Sequence, residues 1–392
     1  MHISRLSLTN FRNYRNLELE LSPRPVVVQG GNAQGKTNLL EAVHMLATTK
    51  SHRASTDRDL VSHLACADEL PFARIDAQVH RAAGDLKVEI VLRLEKATPP
   101  GGGGSAWGPD VGLVTRKRIK ANGIARHALD YVGQVNAVMF DARDIDLVGG
   151  SPALGRRYLD LIGSQTDSRY LRCLQRYQKV VLQRNQLLRL LQEGRAQAQQ
   201  LEFWDEELVK NGSFVVGWRR QLVSDLNALA QEVHRELSGG TERLDLVYQP
   251  AIDSEGVSGE IETRFRQALR RSARAERSQG VTMVGPHRDS LRFQVNGMDI
   301  GKYGSRGQQQ TAALSLRLAE AKYVHSRVGD PPILLLDDVF SELDQSRRQH
   351  LLGSIAGFQQ VLITTVDVGY FEPSFLTDAA QLRVKEGSVE PL

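Results

Sequence analysis

Hydrophobic and polar positions alternate along the first part of the chain in the way that β-strands require. Apolar side chains occupy every second position within 17–21 and largely alternate in two stretches of 72–95. Residues 2–8 carry apolar Ile3, Leu6 and Leu8, and a continuous apolar run covers 26–28. Residues 36–47 instead carry apolar side chains at helical spacing. We therefore predict several strands here, with one amphipathic helix soon after the apolar run.

The middle of the chain has a helical pattern. Residues 170–191 and 204–233 carry apolar side chains at spacings of three and four, and Arg184 occupies one seam position of the first stretch. These stretches predict two long helices packed antiparallel as a short coiled-coil-like arm. A third helix is expected near 260–277. Arginine is frequent in the first and third helices, either as a solvated face or as a surface that follows nucleic-acid phosphates.

Strands and helices alternate again after residue 280. The predicted elements are a strand at 291–295 with a turn at Asn296–Gly297, a helix at 307–325, a strand at 333–337, a helix at 344–355 and a strand at 361–366. This order predicts one sheet built from both ends of the chain, with the helical insertion as a separate lobe. The expected domains are 1–140 and 281–392, which form the sheet lobe together, and 141–280, the helical lobe.

Composition narrows the class of protein. The chain has 392 residues, 41% hydrophobic and 24% charged, which favours a folded protein of two or three domains. It contains no apolar run of about 18 residues, and its N-terminus lacks the apolar core of a signal peptide, so we expect a cytoplasmic protein without a membrane partner. Cys66 and Cys173 lack metal-ligand spacing. The stretch 97–112, with four consecutive glycines, predicts an exposed loop. The net charge of +4 does not by itself indicate nucleic-acid binding.

One segment carries a specific phosphate-binding pattern. It reads Gly-Gly-Asn-Ala-Gln-Gly-Lys-Thr over residues 30–37 and fits G-x-x-x-x-G-K-T between the apolar strand and the helix. Glycines allow consecutive N–H groups to point at phosphate oxygens, and the helix N-terminus adds partial positive charge. Lys36 is expected to reach the β- and γ-phosphates, and Thr37 to offer its hydroxyl to Mg²⁺. The predicted ATP-binding residues are Gly30, Gly31, Asn32, Ala33, Gln34, Gly35, Lys36 and Thr37.

A pair of carboxylates follows the apolar strand at 333–336. Asp337 is predicted to hold Mg²⁺ through water, and Asp338 to act as general base on the attacking water, with Lys36 as the third catalytic residue. The alternative is an acidic pair that merely ends a strand. About 300 residues separate the phosphate loop from Asp337, so the insertion falls between the two halves of the nucleotide fold.

Two further motifs resemble those of ABC-type ATPases. Residues 303–309, Tyr-Gly-Ser-Arg-Gly-Gln-Gln, resemble the signature that opens a helix, and 341–344, Ser-Glu-Leu-Asp, resemble the D-loop. In that class the signature of one subunit contacts the γ-phosphate held by the other. By this resemblance Ser305, Gly307 and Gln308 are expected to contact nucleotide across a dimer; a plain helix cap is the alternative.

Within ABC-type ATPases the chain is similar to the RecF family, which is related to the SMC family. The matching segments, in the family's order, are 8–14, 31–42, 150–160, 183–185, 285–289 and 335–344. The resemblance implies an α/β fold, an ABC-type P-loop ATPase head with an inserted, mainly helical lobe. It implies ATP and Mg²⁺ as cofactors, an ATP-dependent homodimer, and binding to double-stranded DNA at gaps or junctions. It also implies weak DNA-stimulated ATP hydrolysis that resets the dimer, and work with RecO and RecR in loading RecA.

The chain departs from the family at several positions. Ala142–Arg143 stands where the family usually has Pro-Glu, and Gly155 where it has an arginine. The usual Mg²⁺-sensing glutamine has no clear counterpart: Gln134 lies a few residues early, and Asp141 or Asp144 are possible substitutes.

The roles of four further residues stay open at this point. Arg12 is either near the nucleotide or a surface arginine, and His287 either acts on a substrate or positions a turn. Thr364 or Thr365 is a candidate sensor of the γ-phosphate. The alternative function is an SMC-like, nucleotide-gated DNA scaffold with negligible hydrolysis. A transporter ATPase subunit is disfavoured, because the final strand carries threonines where transporter ATPases have a histidine.

Overall fold

The computed structural model describes residues 1–96, 113–252 and 258–392, so the predicted glycine-rich loop at 97–112 lies outside it. The chain forms two compact units: residues 1–142 with 324–392 make unit 1, and residues 143–323 make unit 2. Within the described ranges, every helix is too short or too polar to span a lipid bilayer.

The strands and helices follow each other along both units. The strands are β1 (His2–Phe11), β2 (Tyr14–Glu20), β3 (Pro25–Gln29), β4 (Phe72–His80), β5 (Leu86–Lys96), β6 (Leu113–Ala121), β7 (Ile124–Arg126), β8 (Ala137–Asp141), β9 (Leu244–Gln249), β10 (Ser290–Val295), β11 (Met298–Asp299), β12 (Ile333–Asp337), β13 (Val361–Thr365), β14 (Ala380–Lys385) and β15 (Ser388–Pro391). The helices are α1 (Lys36–Thr48), α2 (Ala128–Tyr131), α3 (Ile145–Gly149), α4 (Pro152–Thr166), α5 (Ser168–Gln192), α6 (Leu201–Leu237), α7 (Ser258–Gln279), α8 (Ile300–Tyr303), α9 (Arg306–Val328), α10 (Gln345–Ile355) and α11 (Pro373–Asp378).

A mixed sheet at the centre of unit 1 is built from both ends of the chain, as the sequence predicted. Its strand order is β15-β14-β3-β13-β12-β8, and all neighbours pair in parallel except β14 and β15. The strands β3, β12 and β13 are almost continuously apolar and buried, as expected for strands covered on both faces. The carboxyl ends of β3, β8, β12 and β13 therefore meet at one edge of the sheet.

Unit 1 also contains a second sheet, which is antiparallel and has the order β2-β1-β4-β5-β6-β7. The alternating residues that predicted these strands have a buried face and a solvent-facing one, as in β4, where every second residue is buried. The turn at the end of β1 belongs to this sheet but contacts the phosphate loop.

The predicted antiparallel arm is present in unit 2. Helices α5 and α6 run in opposite directions, because Asp167, directly before α5, accepts from Trp218 Nε1 at 3.0 Å, whereas Arg176 further along α5 pairs with Glu207 near the start of α6 at 2.9 Å. Tyr170 is fully buried between these helices, as a core residue.

A three-stranded sheet in unit 2, with the order β11-β10-β9, was not predicted. It explains why residues 281–323 lie in unit 2, although the sequence analysis grouped them with the ATPase lobe. Strand β9 precedes residue 280 and pairs along its whole length with β10, which follows it. The ladder therefore joins segments from both sides of the expected boundary. The turn at Asn296–Gly297 has positive φ at both residues, as its sequence predicted.

Candidate nucleotide-binding site

The phosphate loop connects β3 to α1 at the edge where the parallel strands of unit 1 end. Gly35 has φ +122°, and an added Cβ would lie 2.6 Å from Asn13 Nδ2, so both backbone angle and space require glycine. Ala33 has φ +62°, a conformation that costs an alanine about 1 kcal/mol. Gly31, Asn32 and Ala33 are exposed at the tip of the loop.

Lys36 begins α1 and folds back over the loop. Its ammonium donates to the carbonyl oxygens of Gly30 at 2.7 Å and Gly31 at 2.8 Å, and the residue is only 7% exposed. Burial lowers the pKa of Lys36, and the charges of Asp338 and Asp337 oppose that shift. Both hydrogen-bond partners are neutral, so a phosphate would give this buried cation an anionic partner. This observation fits a triphosphate ligand.

The loop is supported by neighbours that the sequence analysis did not identify. Asn13 donates from Nδ2 to the Gln34 carbonyl at 2.8 Å, and Tyr14 donates to the Gly35 carbonyl at 3.0 Å. On the other side the turn between β14 and β15 donates through its backbone: Glu386 N to Gln34 Oε1 at 2.7 Å and Gly387 N to the Gln34 carbonyl at 3.2 Å. Gln34 is therefore clamped by two turns that are remote in sequence.

Asp337 and Thr37 meet in the structure although 300 residues separate them. Thr37 donates to Asp337 Oδ1 at 2.9 Å, and Thr364 at the end of β13 donates to the same oxygen at 2.7 Å. Burial raises the pKa of Asp337; the two threonine hydrogen bonds oppose the rise and the charge of Asp141 adds to it. A threonine hydroxyl beside a carboxylate is a donor set of hard oxygens, which suits Mg²⁺.

Asp338 follows β12 with a left-handed backbone and a partly buried carboxylate. It lies in the left-handed region with φ +53°, and its backbone N–H donates to Thr364 Oγ1 at 3.0 Å. Among the described residues its buried Oδ1 has no hydrogen-bond partner. Burial raises the pKa of Asp338, and the Lys36 charge opposes this. An orphaned acceptor next to the phosphate loop is suited to receive a proton from water.

The three candidates for metal sensing have different surroundings in the structure. Asp141 ends β8 directly opposite Asp337 in the parallel ladder, and His52 Nε2 lies 3.8 Å from its Oδ2. Asp144 instead accepts from Arg317 at 2.6 Å, and Gln134 accepts from Arg81 at 2.9 Å. Of these three, Asp141 is the one that lies beside the site.

Thr364 and Thr365 also have different roles. Thr364 bonds to Asp337, whereas the hydroxyl of Thr365 donates to the Asp367 carbonyl and caps the following turn. Of the two threonines, Thr364 is therefore the one that contacts the predicted Mg²⁺ carboxylate, and a role in sensing the γ-phosphate stays a prediction.

Arg12 and His287 have internal partners. Arg12 Nε and Nη2 each donate at 2.8 Å to a carboxylate oxygen of Glu41, which is fully buried. Burial works against ionisation of Glu41, but the hydrogen bonds from Arg12 and Ser51 prevail and lower its pKa. His287 lies 2.5 Å from the Tyr177 hydroxyl, and burial lowers the His287 pKa. The contact with Tyr177 supports a positioning role for His287. The pair with buried Glu41 shows that Arg12 is not a free surface arginine, and its place near the nucleotide stays a prediction.

The signature segment lies in unit 2, at the start of α9. Ser305 Oγ accepts from Gln308 N at 3.2 Å, and Gln308 Oε1 accepts from Ser305 N at 3.1 Å, which makes a reciprocal capping box. Gly307 lies in the first turn, and a Cβ added there would lie 3.9 Å from Ser305 Oγ, an ordinary contact distance. The segment is thus a capped helix N-terminus with partly exposed polar groups, a geometry suited to an anionic ligand.

Comparison with known proteins gives consistent results along the whole chain. A family model described as an AAA domain matches residues 5–122. Curated relatives called "DNA replication and repair protein RecF" cover the chain: that of Herpetosiphon aurantiacus is 46% identical, with 100% of both chains covered. Those of Roseiflexus castenholzii (44%, 100% of both) and Chloroflexus aggregans (42%, 99% of both) are similar.

Solved structures agree with the curated relatives. The recombination mediator protein RecF with ATP, described as part of the RecFOR pathway, matches with TM-score 0.86 and 29% identity over 100% of this chain and 97% of that one. An Smc head bound to a domain of ScpA matches with TM-score 0.54 and 15% identity over 100% and 97%, which supports the fold alone. The predicted fold, an ABC-type P-loop ATPase head with an inserted lobe, is confirmed.

Proposed function

This chain belongs to the RecF family, and from that premise we propose that it is an ATP-gated DNA clamp acting in replication and repair. The observation that carries the proposal is the contact between Thr37 and Asp337, because it assembles phosphate loop and carboxylates into one site. A capped helix N-terminus of the signature type in the same chain supports a nucleotide held between two copies.

ATP binding is assigned to the loop from Gly30 to Thr37. Loop amides and the first turn of α1 receive the phosphates, and Lys36 moves its ammonium from neutral carbonyls to an anionic oxygen. The hydrogen bonds to Gln34 hold the loop in its conformation before ATP binds, so binding costs little conformational entropy. The fold match to a protein solved with ATP supports this assignment.

Thr37 and Asp337 are the residues that would hold Mg²⁺. When bound, the ion would neutralise charge that develops on the transferred phosphoryl oxygens. Asp338 has its unpartnered Oδ1 available to orient a water molecule and to take its proton.

Ser305, Gly307 and Gln308 are proposed to close over the γ-phosphate that a second copy holds. Hydrolysis removes that phosphate and with it the contact, so the slow ATPase acts as a timer that opens the dimer. The closed dimer is proposed to hold double-stranded DNA at gaps or junctions. The pathway name RecFOR, given to a solved RecF structure, supports RecO and RecR as the proposed partners of this clamp, and help in loading RecA is part of the same proposal.

Sedimentation velocity with and without ATP and Mg²⁺ tests whether ATP controls dimerisation. We expect the wild-type chain to shift from monomer to dimer with ATP. The variant Lys36→Ala should stay monomeric, because the ATP phosphates lose their cationic partner. Lys50→Ala, an exposed lysine just beyond α1, is the matched control and should dimerise. A wild-type chain that remains monomeric at saturating ATP would disprove the clamp.

Phosphate release separates a clamp from a scaffold with negligible hydrolysis. We expect slow release that gapped DNA accelerates and that Asp338→Asn abolishes while ATP binding persists. Release that Asp338→Asn leaves unchanged would exclude Asp338 as the base.

A further inference from the structure

Gln308 connects the signature to a part of unit 2 that has no assigned role. Its Oε1 accepts from the Ser305 backbone, and its Nε2 donates to Glu242 Oε1 at 2.8 Å. Glu242 lies in the segment between α6 and β9, far from the signature in sequence. The side chain of Gln308 is therefore held at both ends.

The chemistry of Glu242 determines the orientation of this amide. An amide has one accepting and one donating end, whereas a carboxylate only accepts. Glu242 therefore requires Nε2 of Gln308 to face it, which leaves Oε1 for the N–H of Ser305. Without that acceptor the amide is free to turn, and the cap that orients the Ser305 hydroxyl loses one of its two bonds.

Glu242 is itself held by the end of the long helix α6. His234, in the last turn of α6, is fully buried, and its Nε2 lies 3.3 Å from Glu242 Oε2. Its Nδ1 lies 3.0 Å from the hydroxyl of Ser315 on α9, which donates to the Thr311 carbonyl at 2.7 Å. A continuous set of contacts thus runs from α6 through Glu242 to the first turn of α9.

We propose that Glu242 is a positioning residue for the signature, which it holds ready for the nucleotide of a second copy. The inference rests on the proposed function and deepens it: Glu242 sets the geometry of Ser305 and Gln308 through Gln308 and touches no nucleotide itself. Because α6 is one of the two arm helices, the same contacts give the arm a route by which its position alters the strength of the dimer.

Three variants test the proposal. Glu242→Ala removes the acceptor, and Glu242→Gln keeps an oxygen that accepts from Gln308. Glu232→Ala is the control: the side chain of Glu232 on α6 is 52% exposed and pairs with Lys322 of α9 at 3.4 Å. Each is measured for ATP affinity as a monomer, for the dimer dissociation constant in ATP, and for amide hydrogen exchange at 305–309 without nucleotide.

We expect Glu242→Ala to bind ATP as the wild type does, since the phosphate loop lies in unit 1, but to dimerise about tenfold more weakly. That corresponds to about 1.4 kcal/mol. Exchange at 305–309 should rise in the same variant, whereas Glu242→Gln should restore both values to within about threefold and Glu232→Ala should change neither.

Exchange in Glu242→Ala equal to the wild type would overturn the proposal, as would a Glu242→Gln variant that behaves like Glu242→Ala. Because exchange is measured on the nucleotide-free monomer, it reports on positioning even if the wild type does not dimerise. A wild type that stays monomeric in ATP would instead contradict the proposed function.

Discussion

The pKa of a side chain in this protein depends strongly on how deeply the side chain is buried. Glu320 on α9 is fully buried, and its Oε2 accepts from Arg317 at 2.8 Å. Arg317 also donates to Asp144 at 2.6 Å, so one cation serves two carboxylates. Burial raises the pKa of Glu320 to about 6, and the Arg317 charge only partly opposes it. Desolvation therefore outweighs pairing at this position.

This shift predicts a pH dependence of stability. Between pH 4.5 and about 6 the folded chain keeps a proton on Glu320 that the unfolded chain has released. The free energy of unfolding therefore falls as pH rises through this window, by about 2 kcal/mol in total, and the contribution is constant outside it. Urea unfolding at several pH values measures this. Glu320→Gln should lack the step, and a wild-type-minus-variant difference that is constant across the window would contradict the prediction.

At the scale of elements, local patterns predicted the strands and helices but not what lies against them. The segment 30–37 identified the phosphate loop because the motif is contiguous, and the apolar run 333–336 identified β12 because a buried parallel strand is apolar throughout. The clamp on Gln34 could not be predicted, because Asn13 and Glu386 reach it from turns of two different sheets. The turns that carry Asn13 and Glu386 come close to Gln34 because of the order and packing of the strands, which a local sequence pattern does not reveal.

The β14–β15 turn gives a prediction for nucleotide binding. Gly387 has φ +78°, and a Cβ added there would collide with the Asn13 carbonyl, so Gly387→Ala must displace the turn and release Gln34. We expect about tenfold weaker ATP binding, or about 1.4 kcal/mol. Fluorescent ATP-analogue titration measures the change.

Gly123→Ala is the control for that experiment. Gly123 has nearly the same φ, +79°, in the β6–β7 turn, but no atom of the described residues, apart from its chain neighbours, lies within 4 Å of its added Cβ. Both variants carry the backbone cost of about 1 kcal/mol, so only the loss of the clamp distinguishes them. Equal ATP affinity in the two variants would show that the turn does not support the loop.

At the scale of the whole molecule, folding pairs some basic residues with acidic residues from other helices. The basic residues of α5 were interpreted either as a solvated face or as a surface for phosphates, but neighbouring helices supply acidic partners to some of them. Arg176 pairs with Glu207 of α6, and Arg184, at its predicted seam position, is buried between Asp205 of α6 and Glu276 of α7. Such pairing depends on which helices pack together, so composition along one helix could not reveal it. The arginines of α7 that stay exposed are Arg270, Arg271, Arg274 and Arg277.

The exposed side of α7 is a candidate surface for tracking DNA phosphates. Arg270 and Arg274 are one helical turn apart, so both can approach the same strand. If each neutralises one phosphate, the double variant Arg270→Gln/Arg274→Gln should lower the slope of log K against log salt by about 1.8 for gapped duplex DNA. Fluorescence anisotropy at several salt concentrations measures this slope. The double variant Arg24→Gln/Arg58→Gln, which removes two exposed arginines from unit 1, controls for net charge. An equal fall in slope for both variants would mean that DNA responds to total charge rather than to α7.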